Sequence, residues 1–223
     1  NKIIIIAEAG GNHNGSLKKA YKLVDIAKKA GADYVKFQTF KAETLVSKNA
    51  PKAKYQKKNV KKISHYELIK KLEMSYDMHL KLIKYCKKKK IKFLSSPFCI
   101  DSFNLLNKFN LDFIKIPSGE ITNLPLLRHI KKFKTDIILS TGMSNLKEIN
   151  YAIKVLKNNN RKIILLHCNT EYPTPIEDIN LNAMLNLKKK FKLDVGYSDH
   201  SLGIQVPIIA ASLGAKVIEK HFT

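Results

Sequence analysis

Short apolar runs that alternate with helix-length segments, each run followed by a cluster of polar residues, predict an α/β fold. The alternation specifies parallel strands. Eight such runs favour closure into a (β/α)8 TIM barrel, with eight parallel strands, over an open doubly wound sheet. The polar clusters all fall at the carboxyl ends of the runs, the face where barrels of this kind carry their sites. No low-complexity linker or composition shift breaks the series, so residues 1–223 are read as one barrel domain.

The expected strands are Ile3–Ala7, Tyr34–Phe37, Lys92–Leu94, Phe113–Ile116, Ile137–Leu139, Ile163–Leu166, Leu193–Val195 and Lys216–Ile218. Between them, helices are expected at Leu17–Ala30, Tyr76–Lys89, Asp101–Phe109, Leu124–Phe133, Asn145–Lys157, Leu181–Phe191 and Leu202–Leu213. One connection, Lys41–Glu73, is much longer than an ordinary strand-to-helix loop, and long loops on that rim often cover a substrate. The chain begins at Asn1 without an initiator Met or a signal peptide. It is also shorter than the ~250 residues typical of a complete barrel. It therefore reads as a trimmed chain, with further residues expected beyond both ends.

Composition narrows the function. Cys86, Cys99 and Cys168 have no CxxC spacing, which argues against a disulfide framework or a structural zinc site and suits a reducing cytosol. On that ground a cytoplasmic protein is expected, and no apolar run reaches transmembrane length. The formal charge of +23 raises the possibility of a polyanion-binding barrel. Against specific nucleic-acid recognition, Arg128 and Arg161 are the only arginines, so the bidentate fork used on bases and phosphates is nearly missing. The lysines are also spread over most of the expected helices, as on a solvated outer ring, instead of forming one stripe.

The residues at the strand ends carry the chemistry. Glu8 closes a very apolar strand, where a buried carboxylate needs a metal, a cation or a proton-transfer role. Lys36 and Lys115 fall inside strands. Pointing inward beside Ser96, Ser118, Ser140 and Ser198, they would form a pocket for a small substrate carrying phosphate and carboxylate. Pointing outward, they would snorkel between strand and helix. Ser140-Thr141-Gly142 reads equally as a helix N-cap. His200 in VGYSDHS and His221 in VIEKHFT follow neighbouring strands, so either they share a divalent ion or each closes its strand as a satisfied polar residue.

Taken together, AEAGGNHNGS, ADYVKFQTFKAE, SSPF, IKIPSGEITNLP, ILSTGM, LLHCNTEYPTP, VGYSDHS and VIEKHFT, in this order, resemble the N-acetylneuraminate (sialic acid) synthase family over essentially the whole chain. APKAKYQKKN followed by KKLEM is most similar to its bacterial N-acetylneuraminate branch, and the legionaminate and pseudaminate synthases are close relatives. The resemblance implies condensation of phosphoenolpyruvate with open-chain N-acetylmannosamine and water, giving N-acetylneuraminate and phosphate, with Mn2+ or a similar ion such as Mg2+ or Co2+. It makes His200 and His221 the metal ligands and Glu8 the catalytic carboxylate. Lys36, Ser96, Lys115, Ser118, Ser140 and Ser198 become phosphoenolpyruvate contacts, with Lys115 counted as catalytic, while Gln38, Tyr172 and Glu219 become sugar contacts. Where some members place an Asn on the phosphate, this chain has Thr170, with Asn169 adjacent. The resemblance also implies an eighth helix, a small C-terminal antifreeze-like domain and a homodimer in the full-length protein, so the barrel is expected to be incomplete at its C-terminus.

Overall fold

The structure is a computed structural model that describes residues 2–50, 64–158 and 161–223. Its strands are β1 (Ile4–Gly10), β2 (Tyr34–Thr39), β3 (Lys92–Pro97), β4 (Phe113–Ile116), β5 (Asp136–Ser140), β6 (Ile163–Cys168), β7 (Asp194–Asp199) and β8 (Val217–His221). Among the described residues they form one eight-stranded sheet in the order β3-β2-β1-β8-β7-β6-β5-β4. The paired strands are all parallel. Strands β3 and β4 lie against each other at the seam, so the sheet curls into the expected (β/α)8 barrel.

The helices are α1 (Leu17–Lys29), α2 (Ala42–Leu45), α3 (His65–Lys71), α4 (Tyr76–Lys89), α5 (Ile100–Asn107), α6 (Leu124–Lys131), α7 (Leu146–Leu156), α8 (Asn182–Phe191) and α9 (Gln205–Ser212). Helix α1 shows why they form where they do. The Ser16 hydroxyl accepts from the Lys19 amide at its start, and Lys28 and Lys29 sit in its last turn, at the negative end of the dipole. Ala20, Leu23, Val24 and Ala27 repeat at helical spacing and are buried. Covering a side chain such as Leu23 or Val24 contributes about 1.5–3 kcal/mol.

Apolar residues fill the barrel in two places. Val35, Phe37, Leu82, Phe103 and Leu127 belong to the layer between strands and helices. Ile6, Tyr34, Leu94, Ile138, Ile164, Leu166 and Val217 form a separate plug on the inward faces of the strands. The side-chain period of two then fixes what lies above the plug: Glu8 follows Ile6, Lys36 follows Tyr34, Ser140 follows Ile138, and Glu219 follows Val217. Gly196 on β7 is required by close approach, because a Cβ there would lie 2.2 Å from the Val217 carbonyl oxygen of β8.

The strands run further toward their carboxyl ends than the apolar runs suggest. Glu8, Gln38, Ser96, Ser140, Cys168, Asp199 and His221 lie within strands, not in the loops after them. Polar side chains around the mouth of a barrel interrupt the apolar pattern without interrupting the hydrogen-bonded ladder. The long connection contains α2 and α3, and its two ends are tied where the Ala42 amide donates to Glu73 Oε1 at 2.6 Å. Residues 51–63, and with them most of APKAKYQKKN, lie outside the described residues.

A buried polar chain fastens β2 and β3 to α4. The carbonyl of Ser75 can only accept, so His79 Nδ1 donates to it at 2.8 Å. His79 Nε2 then accepts from Thr39 Oγ1 at 2.9 Å, and Thr39 Oγ1 accepts from Ser95 at 2.7 Å. Burial holds the pKa of His79 below the ordinary imidazole value, against the opposing pull of the Ser75 carbonyl. The native ring thus stays neutral where an unfolded one, with a pKa of about 6.5, takes up a proton. This contribution to stability is complete above that pH and is lost as pH falls through it. Urea midpoints should therefore drop between pH 7 and pH 5, and the drop should be smaller in His79→Gln; equal drops would refute this role for the ring.

Candidate active site

At the carboxyl end of the barrel, above the apolar plug, lies a cavity of about 540 Å³. Its lining brings together Glu8, Lys36, Gln38, Lys115, Ser118, Ser140, Tyr172, Ser198, His200, Glu219 and His221, all of them singled out from the sequence. Asn12, Pro117 and Cys168 line it as well. Two other sequence candidates stand outside the lining. Ser96 is fully buried and accepts a long hydrogen bond from Lys36 Nζ, at 3.4 Å, while Thr170 is exposed, with its methyl close to Gly142. A cavity of similar size, about 550 Å³, lies around Lys2, Ile4 and Lys92 at the amino ends of the strands, away from these groups.

Both strand lysines turn inward and are buried, so the outward, snorkelling alternative does not apply. Lys36 Nζ lies 2.8 Å from Glu8 Oε2 and 3.5 Å from Glu219 Oε1. Lys115 Nζ lies 3.6 Å from the same Glu219 oxygen and donates to Ser140 Oγ at 2.8 Å. Ser198 Oγ donates to Glu219 Oε1 at 3.1 Å. Two cations and two carboxylates therefore share one buried site and balance each other. Glu219 Oε2 is buried without a hydrogen-bond partner among the described residues.

Burial and pairing compete at each group. Desolvation outweighs the attraction of Lys36 at Glu8 and raises its carboxyl to about 7. At Glu219 desolvation is overcome by Lys115, Lys36 and the Ser198 hydroxyl, and its pKa is held low. Desolvation disfavours the ammonium of Lys36, but Glu219 and Glu8 prevail and raise its pKa. For Lys115 desolvation wins, with Glu219 offsetting only part of it, and the pKa falls. Such a division of pKa values within one cluster is typical of sites that hold and move protons.

The two histidines stand beside this cluster. His200 Nδ1 donates to the Asn169 carbonyl oxygen at 2.7 Å, which fixes the tautomer and leaves Nε2 as an acceptor, 3.5 Å from Ser198 Oγ. The ring centroids of His200 and His221 are 5.6 Å apart, and Tyr172 packs on His200 at 4.1 Å. Desolvation lowers the pKa of both imidazoles, with the Asn169 bond opposing it at His200 and with His200 adding to it at His221, which falls to about 4. Neutral imidazole is the form that binds metal, and a carbonyl behind one ring is the usual support for such a ligand. No group of three or more His, Cys, Asp or Glu with metal-binding geometry exists among the described residues. Two imidazoles alone are an incomplete donor set, so an ion held between them would have to draw its remaining ligands from water or substrate oxygens.

Backbone geometry keeps the opposite wall tight. Gly142 has φ +49°, and a Cβ there would lie 2.5 Å from Ser118 Cβ, so the turn after β5 presses against the hydroxyl after β4. Sequence reasoning passed over Asn12 and Cys168 as lining residues. Their position in the polar strings after β1 and at the end of β6 was the available signal. Burial raises the pKa of the Cys168 thiol, which keeps it protonated.

Comparisons with known proteins agree with the fold. Residues 23–223 match the NeuB family. The chain is 54% identical to the N,N'-diacetyllegionaminic acid synthase of Campylobacter jejuni, aligning over 100% of its own length and 68% of that protein. It is 49% identical to the enzyme of that name from Legionella pneumophila, over 98% of this chain and 63% of the relative. It thus spans about two thirds of these relatives. In three dimensions it resembles the N-acetylneuraminic acid (sialic acid) synthetase of Leptospira borgpetersenii, solved with citrate, at a TM-score of 0.90 and 36% identity, covering 100% of this chain and 74% of that one. With its barrel, its buried charge cluster and its paired histidines, the chain belongs to the NeuB family.

Proposed function

We propose that this protein condenses phosphoenolpyruvate with the open-chain form of an N-acylated amino sugar and water, releasing phosphate and a nonulosonic acid. The observation that carries the proposal is the site in which Lys36, Lys115, Glu8 and Glu219 neutralise one another beside two histidines. Lys36 and Lys115, with Ser118, Ser140 and Ser198 around them, offer charge and hydroxyls to phosphate and carboxylate. Gln38, Tyr172 and Glu219 line the same cavity on the side we assign to the sugar. Ser96 supports Lys36 from behind the wall, and Thr170 has no assigned contact.

In this reading Glu8, with a pKa near neutrality, handles protons. It gives one to the sugar aldehyde oxygen as the enol carbon of phosphoenolpyruvate bonds to the aldehyde carbon. It takes one from the water that adds at the phosphate-bearing carbon, after which the C–O bond breaks, phosphate leaves with the proton of the new hydroxyl, and that carbon becomes a ketone. His200 and His221 would hold Mn2+, or Mg2+ or Co2+, and such an ion supplies Lewis acidity toward a carbonyl oxygen.

The acceptor is the finer question. Identities of 54% and 49% to two N,N'-diacetyllegionaminic acid synthases favour a sugar bearing two acetamido groups. The likeness to a sialic acid synthetase, at a TM-score of 0.90, supports N-acetylmannosamine, with N-acetylneuraminate as product, as the second reading. With phosphoenolpyruvate, Mn2+ and a panel of N-acyl sugars, phosphate release should depend strictly on the acceptor and show its highest kcat/KM with a diacetamido sugar. A higher kcat/KM with N-acetylmannosamine would establish the second reading, and phosphate release with no acceptor dependence would refute both.

Lys115→Met keeps the apolar stem and removes the charge. Its affinity for phosphoenolpyruvate should fall by roughly 2–5 kcal/mol, as for the loss of one partner of a buried charge pair, with acceptor affinity changed far less. Equal losses for both substrates would mean that the barrel has collapsed and that Lys115 does not serve the anion.

A further inference from the structure

Immediately before each histidine stands a residue that faces away from the cavity. Asp199 and Lys220 are direct partners in the β7–β8 ladder, one step after the inward-facing pair Ser198 and Glu219. Asp199 is 1% exposed and would be costly to bury alone. It is fully occupied instead. Its Oδ1 accepts from the Ser201 amide at 2.9 Å and the Ser201 hydroxyl at 2.7 Å, and its Oδ2 accepts from Lys220 Nζ at 2.5 Å. Lys220 Nζ also donates to the Ser201 carbonyl at 2.8 Å.

Lys220 thus grips the residues on both sides of His200, and it does so from the position that precedes His221. Strand β7 ends at Asp199, so His200 is the first residue to leave the sheet and has no ladder bond to hold its place against β8. Two further bonds aim it from the other side: the Thr174 amide donates to the His200 carbonyl at 3.0 Å, and Asn169 receives Nδ1. Neither of these reaches β8. A third contact, the 3.5 Å approach of Ser198 Oγ to Nε2, leads to Glu219 of β8 on the cavity side, and the Asp199–Lys220–Ser201 bracket joins the backbone around His200 to β8 on the other.

We infer that Asp199 and Lys220 are positioning residues that set the gap between His200 and His221 and so determine the affinity of the pair for a divalent cation. This rests on the two-histidine metal reading above. Residues behind metal ligands typically set affinity by 10–100-fold. Here the bracket acts through the backbone, by fixing where the two ligands start.

The test is direct Mn2+ binding by the full chain, read from the electron paramagnetic resonance signal of the free ion, at a temperature where circular dichroism shows every variant folded. Lys220→Met and Asp199→Asn should each weaken Mn2+ binding roughly 10–100-fold. Lys220→Arg, which keeps a charged donor in a partly exposed position, should restore most of it. His200→Ala should abolish binding. A bracket that only stabilises the fold would lower the thermal midpoint of Lys220→Met while leaving its Mn2+ affinity unchanged, and that result would overturn the inference. Absence of Mn2+ binding by the unaltered chain would overturn the metal reading and the inference with it.

Discussion

Two ammonium groups and two carboxylates buried at the mouth of the barrel coexist because each sign supplies what the other lacks. Moving an isolated charge into such a site costs several kcal/mol, so Lys36 and Lys115 depend on Glu8 and Glu219, and the dependence is mutual. Removing one member would leave an uncompensated charge with little water to solvate it. The cluster is therefore a weak source of stability and a strong constraint on structure. Strands β1, β2, β4 and β8 must all arrive in the right register and phase to assemble it.

The fold meets that constraint with simple means. An apolar plug fills the barrel below the charges, and the alternation along each strand lifts the polar residues above it. Gly196 allows β7 to close on β8, and Gly142 lets the turn after β5 lie against Ser118. The Asp199–Lys220 bracket and the Thr39–His79 chain tie strand ends from outside the cavity, where they do not compete with a ligand. The site is preformed, with its cations held by protein carboxylates. In the proposed function, an incoming anion would have to draw them away from those carboxylates, with the Ser118, Ser140 and Ser198 hydroxyls beside it to share the charge.

Much of this was legible in the sequence. The strand and helix order and the polar residues at one end follow from periodicity, because buried parallel strands leave apolar runs and outer helices leave amphipathic ones. Strand ends were less legible, since Glu8, Gln38 and His221 break the apolar pattern while the ladder continues past it. The direction of Lys36 and Lys115 could not be settled by composition; it follows from phase with Tyr34 and Phe113, once the plug shows which face is inside. Ser96 and Thr170 looked equivalent to the other polar residues, yet one is covered by Lys36 and the other is exposed, outside the cavity lining. The pairing of Asp199 with Lys220 depends on β7–β8 register, which a single sequence does not display.

The claim on which the rest turns is that the four-charge cluster is an anion site held in waiting. A crystal structure of the chain with phosphoenolpyruvate bound tests it most directly. The account predicts ligand oxygens within hydrogen-bonding distance of both Lys36 Nζ and Lys115 Nζ, with Ser140 Oγ turned toward the same ligand. Phosphoenolpyruvate bound elsewhere, with both lysines still paired only to Glu8 and Glu219, would contradict it.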